Sequence, residues 1–273
     1  MLKLLKIEWL KLKNYTAFKV LAICFGVGVI AVNTGIYIIN RDVIQQLPVP
    51  GVTTMFPYSF DMTWHTTSYA TGCILLLPAM LLAILITNEY GYKTHRQNII
   101  DGLTREQFIG VKLALAFIFA LTATILVILT ALTLGLFSGS SFSFHGFENV
   151  GYFFFKALTY NAFAVLISVL VKRTGFAVGL LMIYMVGENI VSQLLFVLSV
   201  KWKNDYKIDY GNMGDYLPLN AADGLLEFPE NTVKALSKTI MPHDITWLVF
   251  SLAVIYLLLF LWWSRRKFIK SDL

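Results

Sequence analysis

The chain has 273 residues, 57% of them hydrophobic and only 14% charged, with a net charge of +6. A charged fraction so far below the usual quarter excludes an ordinary water-soluble domain and points to the bilayer as solvent. The basic excess sits in short segments between long apolar blocks, so it reads as membrane topology and not as a nucleic-acid surface.

In chain order, Met1 to Lys19 comes first, lysine-rich and followed by an apolar run. The run is too long for a secretory leader and lacks a small-residue cleavage site, so a retained first helix is expected. Leu2, Leu5, Trp9 and Leu12 share one helical face, while Lys3, Lys6 and Lys13 lie together elsewhere, the pattern of a helix lying along the inner membrane interface. A spanning helix needs roughly 20 mostly apolar residues. Six stretches qualify: 18–39, 69–88, 113–137, 150–171, 176–200 and 244–263. The expected fold class is therefore all-α integral membrane, with residues 1–273 forming one transmembrane domain. The second and sixth spans are the clearest, whereas the fourth carries Lys156 and Asn161. The short link Lys172-Arg173-Thr174-Gly175 makes spans four and five a helical hairpin.

With the amino terminus inside, 15 of the 22 Lys and Arg residues fall on inner segments and seven elsewhere, which places both termini in the cytoplasm. Trp262 and Trp263, followed by Ser264-Arg265-Arg266-Lys267, form an aromatic and basic anchor at the inner boundary, and Tyr152, Phe153, Phe154 and Phe155 are the matching outer candidates. Cys24 and Cys73 fall in different spans near opposite faces, so no disulfide is expected.

Polar residues inside the spans mark candidate positions on a translocation path. Glu188 in span five leads, because a carboxylate at mid-depth is expensive unless it faces a cavity or finds a partner. Asn189 and Gln193 follow it, with Asn161 in span four and Asn33 in span one as weaker candidates that equally suit interhelical hydrogen bonding. Gly175 with Gly179, and Ala31 with Gly35, are small-residue pairs four apart, for which packing inside the bundle is the expected use and a dimer the alternative. The loop 41–68, with Pro48, Pro50 and Pro57, reads as irregular, and residues 221–241 are apolar enough to fold back toward the membrane.

Between spans two and three runs the most informative stretch, from Asn88-Glu89-Tyr90-Gly91 through Thr94, Arg96, Ile99, Ile100, Gly102 and Thr104-Arg105 to Lys112. It resembles the first cytoplasmic loop of type-2 ABC transporter permeases. In that family an acidic residue ends span two, a Gly and a Thr follow, and a short apolar coupling helix, a turn and a Ser/Thr-Arg pair lead to a Lys opening span three. Glu89, Gly91, Thr94, Ile99, Ile100, Gly102, Thr104, Arg105 and Lys112 take those places. Two residues separate Gly91 from Thr94, which are often adjacent in the family, and Gly102 stands where many members carry Pro. The resemblance implies a membrane-spanning permease subunit of an exporter, working with a separate dimer of ABC ATPase subunits, which hold the ATP and Mg, and with a second permease subunit, identical or related. It also implies that this loop docks on the ATPase, with Arg96 and Arg105 facing acidic groups there, and that the protein sits in a bacterial inner membrane. The cargo, a peptide, an antibiotic or a lipid in the family, is not written in the sequence.

The chain itself shows no phosphate-binding signature. The nearest fragment, Gly91-Tyr92-Lys93-Thr94, has Tyr where the loop needs glycine and no preceding strand. His65, His95, His145 and His243 are scattered without paired ligand spacing, so neither a metal nor any other cofactor is expected in this chain, and it is not expected to be an enzyme. The rival readings are an ion-coupled secondary transporter using Glu188, against which no inverted repeat is visible, and a membrane-embedded enzyme or scaffold.

Overall fold

A computed structural model describes residues 2–43, 59–229 and 245–271. Among the described residues the structure is helical and contains no strand. The elements are α1 (Leu2–Asn14), α2 (Thr16–Ile38), α3 (Phe60–Gly72), α4 (Leu76–Gly91), α5 (Thr94–Ile100), α6 (Arg105–Phe137), α7 (Glu148–Val171), α8 (Thr174–Tyr206), α9 (Asn220–Asp223) and α10 (Thr246–Lys270). A π turn at Ile39–Val43 extends α2, and a 3₁₀ turn at Met213–Tyr216 precedes α9. Helices α2, α6, α7, α8 and α10 are each long and apolar enough to cross a membrane. The pair α3 and α4, bent by 44°, is together apolar enough to be a sixth candidate crossing.

That bend corrects the simple span expected at 69–88. Pro78 in the first turn of α4 has no N–H to continue the ladder from α3, so the chain breaks between Gly72 and Leu76 and restarts at an angle. Helix α3 is rich in Thr and Ser, yet Thr63, Thr66, Thr67, Ser68 and Thr71 are buried inside the bundle. The hydroxyl of Thr63 donates to the Ser59 carbonyl four residues back, the local bond that lets a hydroxyl sit in an apolar surrounding.

Helix α7 is the central element, packed on α3, α4, α6, α8 and α10. Its buried face is lined by Ala157, Ala162 and Ala164, and it meets Ala116, Ala120 and Ala123 of α6, so the two backbones approach closely. Phe153 is completely buried, which places it in the core and not in an outer aromatic girdle. Asn161 lies at the same α6–α7 contact and donates to the Ala116 carbonyl at 3.1 Å. Asn33 likewise donates across to Thr71 of α3 at 3.0 Å.

The helices overrun the expected spans at one end of the bundle. Helix α6 begins at Arg105 and α10 runs to Lys270, so the polar ends of both project beyond their apolar bodies. Against that end lies α1, whose Leu12 is buried while Trp9 is exposed. Among the described residues, a Cβ at Gly35, Gly175 or Gly179 would meet nothing within 4 Å, so the packing inside the bundle expected for those pairs is not seen there.

Candidate functional site

The overrunning end of the bundle assembles the residues that stood out between spans two and three. Helix α4 ends at Gly91, and Lys93, in a left-handed conformation with φ of 57°, turns the chain into the two-turn helix α5. Two buried contacts fix that turn. The His95 ring nitrogen Nδ1 lies 3.0 Å from the Glu89 carbonyl, and its ring packs 4.6 Å from the ring of Tyr90. The Thr94 hydroxyl also donates to the Glu89 carbonyl, at 3.4 Å.

Helix α5 therefore has one face held and one presented. Ile99 packs on the core, whereas Arg96 is exposed and Ile100 is 77% exposed. Gly102 closes the loop with φ of +103°, a conformation that disfavours any residue with a Cβ. Thr104 then caps α6, accepting from the Gln107 N–H while the Gln107 side chain accepts from the Thr104 N–H.

Beneath this loop sits a four-charge cluster. The Lys112 ammonium lies 2.7 Å from Glu8 Oε2 and 2.9 Å from Glu89 Oε1. Lys11 bridges the same two carboxylates, at 3.0 Å from Glu8 Oε1 and 3.1 Å from Glu89 Oε1. The side chain of Lys112 is only 3% exposed, and its charge also lies 5.0 Å from the centre of the Phe108 ring. Three elements far apart in sequence, α1, the end of α4 and the start of α6, are thereby joined by two positive and two negative charges. Burial works against the charge on Glu8, but Lys112 and Lys11 outweigh it and hold its carboxyl below the usual range. Burial likewise opposes the charge on Lys11, and Glu89 and Glu8 outweigh it and raise its ammonium.

Arg105 has a different partner from the one expected of it. Its guanidinium donates to the carbonyls of Ile269 at 2.7 Å and Ser271 at 3.0 Å, satisfying acceptors left open where α10 ends. Phe108 stacks on Phe268 at 4.8 Å beside it, so the loop is fastened to the last helix as well as to the first. Both described ends of the chain and the 89–112 loop thus share one face of the molecule.

Glu188 lies away from this face, about 14 residues and roughly 20 Å along α8 from Thr174. Its Oε1 accepts the N–H groups of Leu219 at 2.6 Å and Asn220 at 2.9 Å, so it caps the start of α9. The other end of α9 is held by Asp223, which accepts from the Tyr160 hydroxyl at 2.9 and 2.8 Å and pairs with Lys156 at 3.2 Å. Gly72 makes the room for Lys156, whose Nζ lies 3.1 Å from where a Cβ would stand. The chain from Leu219 to Leu226 thus folds back into the bundle, with Ala221 and Ala222 fully buried. The rest of the fold-back expected up to residue 241 lies outside the described residues beyond 229.

Of the other residues expected on a path, Asn189 and Gln193 are exposed on α8, Asn189 donating to the Met185 carbonyl of its own helix. Asn161 is remote from them, between α6 and α7. The structure therefore joins Glu89 with Lys112, and leaves Glu188, Asn189 and Gln193 on one helix without Asn161. Missing from the expected set were Glu8, Lys11, Lys156, Tyr160 and Asp223. Among the described residues there is no cluster of three or more His, Cys, Asp or Glu side chains able to hold a metal.

The family model described as ABC-2 family transporter protein matches residues 4–189, a stretch that begins in α1, includes the whole charge cluster and ends just after Glu188. No curated protein matches the chain. With the match covering more than half of its length, the chain belongs to the ABC-2 transporter family and is a multi-pass membrane permease component of an ABC transporter.

Proposed function

We propose that this chain is the membrane-spanning half of an exporter whose ATPase is a separate subunit, and that α5 is where the ATPase docks. The observation that carries the reading is the four-charge cluster beneath α5. A short helix exposed on one side, and held on the other by Thr94 and His95 at the Glu89 carbonyl, where the Glu89 side chain ties α4 to α1 and α6, is a lever, able to pass a push from outside into α4 and α6. Arg96 and Ile100 form the presented surface, one charged and one apolar, and Arg96 is suited to a carboxylate on the partner. Arg105, by its bonds to Ile269 and Ser271, carries the movement on to α10 and is not the docking residue.

The partner ATPase would supply ATP and Mg and all hydrolysis. The face that holds α1, α5 and the end of α10 would be cytoplasmic, a reading the Lys and Arg distribution supports, and the membrane would be a bacterial inner one. A second permease subunit would cover α2 and α8. Those helices expose Ile23, Val27 and Ile30, and Ile183, Ile190 and Leu194. The adjoining Asn189 and Gln193 on α8 are unsuited to lipid, and the open small residues Gly35, Gly175 and Gly179 allow close helix approach. The path would run along that seam, with Glu188 holding α9 beside it.

Affinity capture of the full chain from its own membranes, in nanodiscs, tests the docking. Wild type should bring down an ABC ATPase, and an Arg96→Glu, Ile100→Asp double variant, altered only on the exposed side of α5, should lose it. An ATPase retained by the variant, or absent from the wild type, would refute the proposal.

A further inference from the structure

A cavity of about 340 Å³ opens between α1, α2, α4 and α6, next to the charge cluster but separate from it. Trp9, Phe18 and Phe119 form one wall, with successive ring centres 6.3 Å apart, and the cavity reaches inward to Phe25 and Leu115, which are almost fully buried. Thr122 is the only residue of the lining with a polar group apart from the Trp9 indole. We propose that this cavity binds one acyl chain of an anionic phospholipid from the leaflet in which α1 lies, with the headgroup held by the lysines beside Trp9.

Three observations select that occupant. The cavity is apolar apart from the Thr122 hydroxyl and the Trp9 indole, the lining that a hydrocarbon chain requires. Its lining includes Trp9, 56% exposed, and Ile118 on the outer surface of α6, so the mouth opens sideways where a membrane-spanning chain meets lipid. Finally, Lys6 and Lys13 lie about 40–60° around α1 from Trp9, on the flank of the mouth. Both are exposed, and the one carboxylate of α1, Glu8, is already held by Lys112 and Lys11 on a different face. The lysine stripe beside the mouth therefore lacks a local counter-charge on its own helix, and a phosphodiester headgroup supplies one.

Because α1 also carries Glu8, a lipid wedged between α1 and α2 would set the position of one corner of the charge cluster. The site would then tune a permease already described, without being its transport path.

The test is native mass spectrometry of the delipidated full chain titrated with phosphatidylglycerol and with phosphatidylcholine of the same acyl composition. Wild type should hold one phosphatidylglycerol per chain and bind phosphatidylcholine about tenfold more weakly. Ala22→Trp, which fills the cavity, should weaken both lipids by about tenfold, while Leu258→Trp on the exposed surface of α10, outside the lining, should change neither. Lys6→Gln with Lys13→Gln should abolish the preference for phosphatidylglycerol and leave phosphatidylcholine binding intact. An unaltered preference in the lysine variant overturns the proposal even if Ala22→Trp fails to fold, and so does unaltered binding in a folded Ala22→Trp protein. A peptide or a second copy of the chain found seated there in place of lipid would overturn it too.

Discussion

Lys112 is the residue on which the charge cluster depends, because, of the cluster's two lysines, Lys112 alone is buried and lies under 3 Å from both carboxylates. Removing one partner of such a pair leaves an uncompensated buried charge and costs about 3–5 kcal/mol. Lys112→Met should therefore lower the unfolding midpoint of the purified protein, while Glu8→Gln and Glu89→Gln added to Lys112→Met should recover much of the loss by removing the stranded charges. Thermal unfolding in detergent resolves the two cases, and equal stability of wild type and Lys112→Met would show that the cluster holds nothing together.

The same four charges set a pH window. Glu8 is held below its ordinary value of 4.5, so its contribution is complete above that pH and is lost as pH falls through its lowered folded value. Lys11 is raised above 10.5, so its contribution is complete below that pH and fades as pH rises through its raised folded value. Stability from these two groups should be level across neutral pH and fall only at the extremes. In Lys112→Met the acid-side loss should shrink, because Glu8 without the nearest charge holding its carboxyl down has a folded value closer to its unfolded one. A pH series of unfolding midpoints measures this, and an acid-side loss as deep as in wild type would count against the assignment.

At the scale of elements, α9 is fastened by three side chains from two helices, α7 and α8. Glu188 accepts the two N–H groups at its start, and Lys156 with Tyr160 holds Asp223 at its end. Glu188→Gln keeps an acceptor oxygen and should preserve the fold-back, whereas Glu188→Ala leaves two backbone donors open and should cost about 1–3 kcal/mol. Hydrogen exchange at Leu219 and Asn220 should rise in the alanine variant only. Protection unchanged in both would mean that packing of Ala221 and Ala222, and not the carboxylate, positions α9.

The elements also show where the sequence was readable. Six long apolar runs are legible because lipid demands them, and the 89–112 loop stood out by its order of residue types. Helix α3 was not legible, since a Thr-rich segment reads as a polar loop and becomes a membrane helix only because α6 and α7 cover it. Glu8 and Lys11 were missed because α1 was read only as an interfacial helix with an apolar face and a separate group of lysines, and their partners lie 104 and 78 residues away. A signal was present: Glu8 is the single acidic residue of the first nineteen. Arg105 read as a surface charge because the carbonyls it bonds belong to the other end of the chain.

For the whole molecule, the account makes α5 a docking element, the charge cluster a joint, and α4 and α6 the moving parts. Glu188, the leading path candidate from sequence and the ion site only in the rival carrier reading, accepts through Oε1 the backbone N–H groups that open α9. Docking and coupling then become separable properties: variants on the exposed side of α5 lose the partner, and variants in the joint keep the partner but lose the transmitted motion.

The most direct test uses spin labels at Gln97→Cys on α5 and at Thr122→Cys on α6, each measured against a reference label on α8 by pulsed electron resonance in the reconstituted complex with its ATPase, with and without ATP. An ATP-dependent change at Thr122 is expected to follow the movement at Gln97 in wild type and to disappear in Lys112→Met although the ATPase remains bound. The same ATP-dependent change in Lys112→Met as in wild type would contradict the claim that the buried charges carry the motion into the membrane.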